Sequence, residues 1–381
     1  MQSPFEAISI PEPEPRAVVR ALEERLCGAA PALLLYFASS RSDFAGIAAA
    51  IDELFPGVPS AGCTTCGEVG PAGCTTNGVS VAALRSPARA AVTLVEDLSA
   101  LRFEQGGEVL ARLAAALELR PFQLHPARHA LLTFTDGLSG AEEILIASLS
   151  EHAPGIPLVG GSAGDDFRFE RTFAGARGRV ASNAAAVVLL EPNAPFHPFH
   201  LHHYQAEGRD TVVTDAEPSR RIVRRLDGFP AARVLAELLQ IPESALQADP
   251  RFVVERMGPV FGFRAAGTLH LRSVMNIEGS ALLMGGAVES GTILQQMRAG
   301  DLIAQTQNGV RSALAALQRP AGMLLFNCGG RMWEAIAQQR VGELAAAMQT
   351  GMAAGFTTYG EQFGPLQVNH TLTGLVLGHA P

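Results

Sequence analysis

Short apolar runs recur along the chain, each followed by the same succession of signals. Leu33-Leu34-Leu35-Tyr36-Phe37 leads through Ser39 and Ser40 into a helical stretch, Phe44 to Phe55. Pro56-Gly57-Val58-Pro59 and Gly62-Cys63-Thr64-Thr65-Cys66-Gly67-Glu68 come next, and Asn77-Gly78-Val79-Ser80-Val81 closes the copy with strand-like alternation. A second copy opens at Leu131-Leu132-Thr133-Phe134-Thr135-Asp136, places its helix at Ala141 to Leu149, and ends at Asn183 and Ala184 to Leu190. A third begins Met323-Leu324-Leu325-Phe326-Asn327-Cys328, has a helix at Val341 to Met348, and ends at Asn369-His370-Thr371 and Leu372 to Leu377.

Continuous apolar runs predict strands buried on both faces, and a helix between two strands predicts a right-handed crossover. Glycines between them suit turns with positive φ or close backbone approach. The expected fold is α/β, with layered sheets, covering helices, three internal strand–helix–strand repeats and two closely packed domains, 30–195 and 196–381. Leu33, Leu131 and Leu324 should start equivalent strands, with Asn77, Asn183 and Asn369 near equivalent positions. Glu68, Asp165 and Glu361 read as corresponding turn carboxylates. Asp165 to Arg171 alternates like a strand. Between copies two and three, Glu191 to Ala321 breaks the pattern. It offers a helical period at Val234 to Leu239, and strands at Phe252 to Met257, Leu269 to Met275 and Ser280 to Gly286.

Composition narrows the function. A net charge of −8 argues against non-specific nucleic-acid binding, which needs a basic face. No apolar run approaches the ~20 residues of a membrane helix. The N-terminus lacks a basic region followed by an apolar stretch, and five cysteines is an odd number, so a reducing cytoplasm is the expected compartment.

The stretch Pro154 to Asp165, followed by Ala184 to Leu190, resembles the end of the N-terminal domain of the FIST sensory proteins. Gly322 to Gly378, with Phe326-Asn327-Cys328, Gly355, Thr358-Tyr359-Gly360-Glu361 and Asn369-His370-Thr371, resembles their C-terminal domain. The resemblance implies a ligand-sensing protein, not an enzyme. His202-His203-Tyr204 before Val212-Val213-Thr214, and Leu271-Arg272-Ser273-Val274, resemble the haem-binding, nitric-oxide-sensing subgroup; Arg256 to Ala266 and Cys63-Thr64-Thr65-Cys66 depart from it. That subgroup implies a b-type haem, nitric oxide as ligand, and a histidine kinase or a diguanylate cyclase or phosphodiesterase as partner. A homodimer is one assembly open to it.

Four of the ten histidines, His197, His200, His202 and His203, fall within seven residues. Imidazole is the usual proximal haem ligand. In a continuous strand His200 and His202 face one way and His203 the other. The resemblance makes His203 the first metal ligand and His202 the second, since general FIST sequences carry a glycine at the place of His203. His370 is the next candidate, and Tyr204 joins Phe196, Phe199 and Leu201 in a prospective apolar pocket.

Two other readings stay open. One is a haem-free sensor of a small metabolite such as an amino acid, held by glycine-turn N–H groups and Glu68, Asp165 or Glu361. The other is an enzyme using Ser162 or the Cys63/Cys66 pair. Gly160-Gly161-Ser162-Ala163-Gly164 matches a nucleophile elbow, but the elbow needs a helix directly after it. Cys63 and Cys66 lack the second pair a structural zinc site wants, and read as small buried apolar residues. The recurring carboxylates read as holders of turn N–H groups.

Overall fold

The computed structural model describes residues 3–26, 30–248, 258, 260–265 and 267–380. The strand expected at Phe252 to Met257 lies outside the described residues, as does part of Arg256 to Ala266. Contacts divide the chain into two compact units: unit 1 is Met1–Leu201, Ile303–Gln367 and Leu372–Pro381, and unit 2 is His202–Leu302 and Val368–Thr371.

Unit 1 holds nearly all of the three copies, each a strand, helix, strand, helix (two helices in copy three), strand, hairpin, strand. Copy one is β1 (Phe5–Ile10), α1 (Pro15–Leu26), β2 (Leu33–Ser39), α2 (Phe44–Leu54), β3 (Ser60–Thr65), the hairpin β4 (Glu68–Gly70) and β5 (Gly73–Thr75), then β6 (Val79–Leu84). Copy two is β7 (Arg89–Val95), α3 (Gln105–Ala116), β8 (Ala130–Thr135), α4 (Glu142–His152), β9 (Leu158–Ser162), the hairpin β10 (Ala174–Ala176) and β11 (Arg179–Ala181), then β12 (Ala185–Glu191). Copy three opens with β13 (Phe196–Leu201), and unit 2 is inserted there.

Unit 2 contributes β14 (Tyr204–Glu217), β15 (Ile222–Leu226), β16 (Phe229–Pro230), α5 (Ala231–Leu238), α6 (Glu243–Ala248), β17 (Val260–Ala265), β18 (Thr268–Glu278), β19 (Ala281–Met284) and β20 (Ile293–Ala299). Copy three then resumes with α7 (Leu302–Ala315), β21 (Pro320–Cys328), α8 (Gly329–Ala337), α9 (Val341–Met348), β22 (Ala353–Thr358), the hairpin β23 (Glu361–Phe363) and β24 (Leu366–Val368), and β25 (Leu372–Gly378).

Three sheets result. In each, a parallel pair (β2–β3, β8–β9 or β21–β22) is flanked by the copy's last and first strands, then extended by another copy's hairpin. β10–β11 joins β3, β23–β24 joins β9, and β4–β5 joins β22, a cyclic exchange. Strand period explains the burial. Leu33, Leu35 and Phe37 enter a core shared by all three sheets, while Leu34, Tyr36 and Ala38 meet α1 and α2. Phe37, Phe134 and Phe326 occupy equivalent places there, and Phe37 stacks on Phe356 at 4.8 Å. On the outer face of the second sheet, Val109, Leu110 and Leu113 of α3 and Leu145, Ile146 and Leu149 of α4 cover Leu131, Val187 and Leu189.

One recurring glycine of each copy sits in a strand, not a turn. A Cβ on Gly62, Gly160 or Gly355 would run into the carbonyl oxygen of Tyr36, Thr133 or Leu325 respectively. Register changes two expected equivalences. Glu68 and Glu361 open their hairpins opposite Phe356 and Gly161. The residue in that place in copy two is Ala174, opposite Cys63, so neither Asp165 nor Asp166 is their counterpart. Asn77 and Asn183 correspond to His370 rather than Asn369. Asp165 to Arg171 is not a strand: Asp166, Phe167 and Phe169 adopt left-handed backbone, because the Asp165 carboxylate gathers the N–H groups that follow it.

Unit 2 is an antiparallel barrel. The order β14-β20-β17-β18-β19-β15 closes because β14 also pairs with β15, the long β14 bending at an irregularity between Ala206 and Asp210. Val213, Leu226, Phe261, Val274, Leu282 and Leu294 fill it, with Val234 and Leu235 of α5. No helix among the described residues is long and apolar enough to cross a membrane.

Candidate functional site

The strand carrying the histidine cluster breaks where the chain enters unit 2. β13 ends at Leu201 and β14 begins at Tyr204, leaving His202 and His203 between them. The Tyr204 N–H donates to His202 Nδ1 (3.2 Å), a local turn that replaces the expected alternation. His202 is half-buried, whereas His203 is 2% exposed with its ring 4.5 Å from that of Tyr204.

Tyr204 is the hub of the site. Its hydroxyl lies 3.2 Å from His370 Nδ1, the two rings 5.3 Å apart and edge-on. Its body packs with Val260, Leu271 and Met297, beside Leu269. His370 is held by its neighbour: Asn369 Nδ2 donates to the Gly285 carbonyl (3.2 Å), and Asn369 Oδ1 accepts the Ser273 N–H (3.4 Å). The structure therefore brings together His203, Tyr204 and His370 with the Leu271 to Val274 stretch. Of the other expected pocket residues, Phe196, Phe199, Leu201, His197 and His200 belong to unit 1, where His200 stacks on Phe363 at 5.3 Å.

Sequence reasoning missed His270. It pairs across β17–β18 with Phe263, on the barrel-facing side shared with Arg272. Arg272 is buried, lies 5.0 Å over the Phe263 ring, and donates Nε–H to the Ala287 carbonyl (3.2 Å). Burial and then the Arg272 charge hold the His270 pKa below its ordinary value. The alternating Leu269-His270-Leu271-Arg272 was the available signal, since it places His270 with Arg272 and apart from Leu271.

The remaining candidates lie in unit 1. Glu68 accepts from the Thr65 and Thr75 hydroxyls (2.7 and 2.8 Å) and the Gly78 N–H (3.0 Å), while burial pushes its pKa up to about 7. The Asp165 carboxylate takes the N–H groups of Phe169, Glu170 and Arg171 and the Tyr359 hydroxyl. Burial raises its pKa, but these donors outweigh it and hold it below the usual carboxylate range. Ser162 is buried with its Oγ 3.1 Å from Thr135 Oγ1, and no helix follows it directly. Cys63 and Cys66 are buried free thiols; burial drives the Cys63 pKa well up and that of Cys66 up to about 12, which suppresses nucleophilic thiolate.

The FIST N domain matches residues 32–228 and the FIST C domain residues 231–364. The chain belongs to the FIST family. No curated protein matches it. FIST domains are signal-transduction sensor domains, so this FIST protein is a sensor by family. The junction of the two matches, at 228–231, falls within unit 2 between β15 and α5.

The donor set of the FIST site decides what it can hold. A bare metal ion wants three or four protein donors, and among the described residues no three His, Cys, Asp or Glu are so arranged. An axial haem ligand is a single imidazole beside an apolar surface. His203 and His370 each lie against the Tyr204 ring, which packs with Val260, Leu271 and Met297, and so fit that requirement.

Proposed function

We propose that this FIST protein is a cytoplasmic, haem-based sensor of nitric oxide that regulates a partner histidine kinase or cyclic-di-GMP enzyme. The observation that supports it most is the placement of His203, buried with its ring against that of Tyr204, which itself packs in an apolar cluster. In this reading His203 would hold the haem iron and His370 and Tyr204 would line the site. Haem, when bound, would supply an iron able to take a diatomic gas.

The chain's own residues do the rest. Tyr204 fixes the His203 ring by contact and links it to His370. Val260, Leu271, Leu269 and Met297 exclude water. His203 and His370 each stand within two residues of a point where the chain passes between the units, at 201/202 and 371/372. A shift of either imidazole therefore pulls on β13 or β25 through one or two residues of backbone. The haem-free reading lacks comparable support, since the Glu68 and Asp165 carboxylates are taken up by neighbouring donors of unit 1 and Glu361 is fully buried.

Protein expressed with a haem precursor should show a Soret band. His203→Ala should lose the haem or change its spectrum, and His202→Ala should leave both nearly intact. Retention of the parent spectrum in His203→Ala, His370→Ala and the double variant would sink this assignment.

A further inference from the structure

The three copies differ sharply at one place. Copies one and three pass from the parallel strand to the hairpin through two residues, Cys66-Gly67 and Tyr359-Gly360. Copy two spends residues 163–173 on the same step. Within that excursion Asp166, Phe167 and Phe169 hold φ of 57°, 61° and 56°, a conformation unfavourable for bulky side chains. Asp165 clamps it, taking the N–H groups of Phe169, Glu170 and Arg171 at 2.9, 2.7 and 2.9 Å. The other two copies show that the repeat fold needs none of this.

What the strained loop achieves is display. Phe169 lies flat on Tyr359 (4.5 Å, 9°), and Phe167 packs on Trp333 of α8 at 5.0 Å. Phe169, Trp333 and Ile336 remain 45%, 36% and 53% exposed. Arginines border them: Arg41, reaching Asp166, and Arg168 and Arg171 on the loop itself, all exposed. The neighbouring carboxylates are turned inward, Asp165 being buried and Asp166 only 11% exposed. Glu170 is the acidic side chain this loop leaves to solvent.

We propose that this surface docks a segment of a partner protein bearing a large apolar side chain flanked by carboxylates. The basic border on an otherwise acidic chain selects the charge of the partner. The fixed stack of rings selects a side chain of defined shape, which a fluid bilayer does not offer. The inference shares with the proposed function only the need for a signalling partner; haem can be absent and the docking surface still stand.

Trp333 is the single tryptophan, so its emission reports this surface. A displayed random dodecapeptide library should yield, on the full chain, peptides with an aromatic or aliphatic residue between acidic ones. The synthetic winner should shift Trp333 emission saturably, weaken with salt, and bind Phe169→Ser at least about tenfold more weakly. Phe169→Ser and Ile336→Ser are exposed changes whose circular dichroism and haem content should match the parent. The proposal is overturned if selected peptides bind Phe169→Ser equally, if they are basic, or if none is enriched. It is likewise overturned if Trp333 responds only to phosphatidylglycerol vesicles, meaning a lipid surface, or only to protein concentration, meaning self-association.

Discussion

Two acidic side chains of unit 1 show how the balance between burial and local donors sets the sign of a pH effect. Burial lifts Glu68 from 4.5 to about 7 despite three hydrogen bonds. Between those values the folded chain keeps a proton that the unfolded chain has released, so this group's contribution to stability falls as pH rises from 4.5 to about 7. Asp165 is depressed instead, so its contribution is present above its unfolded value and lost as pH drops through the folded one. Glu68→Gln should therefore flatten the pH dependence of the denaturation midpoint between pH 4.5 and about 7. An unchanged slope would mean that Glu68 is already ionised in the fold.

At the scale of elements, the parallel pairs β2–β3, β8–β9 and β21–β22 each depend on one glycine against one carbonyl. Gly355→Ala forces β22 away from Leu325 and should destabilise the chain by about 1–3 kcal/mol, read from the urea midpoint. Much of this architecture was legible. Leu33 to Phe37 and its two counterparts are buried strands, and the helices at 44, 141 and 341 are present within a few residues. The helix α8 escaped notice because Gly329-Gly330 opens it, and glycines read as a turn. The charged run Arg220 to Asp227 holds β15, whose Ile222, Val223 and Leu226 are buried while Arg224 and Arg225 face solvent. At the site, sequence supplied His203, Tyr204 and His370 by resemblance. It could not show that His370 meets Tyr204, because a contact between residues 166 positions apart leaves no periodic trace.

The whole molecule is a repeated unit with a barrel inserted in its third copy. Tyr204 pairs with Ala299, and the Gly300 N–H donates to the His203 carbonyl (2.8 Å), so the insertion leaves and returns through adjacent strands. Replacing 205–298 with Asn-Gly joins those strands by a two-residue turn. That shortened chain should keep a cooperative unfolding transition and lose haem binding, as differential scanning calorimetry and absorbance would read. A non-cooperative melt would mean that unit 1 needs the barrel in order to fold.

The traded hairpins set a timetable for synthesis. As the chain leaves the ribosome, the sheet around β2 waits for β10 and β11, and the sheet around β8 waits for β23 and β24 near the far end. The first hairpin to appear, β4–β5, finds its place on β22 only when residues 353–358 arrive. Until then edges stand open, so a stalled or truncated chain is prone to aggregate and a slow folder even when complete. Severed into separate copies, each piece would find its missing hairpin only on a sister molecule, and the smallest closed assembly would be a trimer.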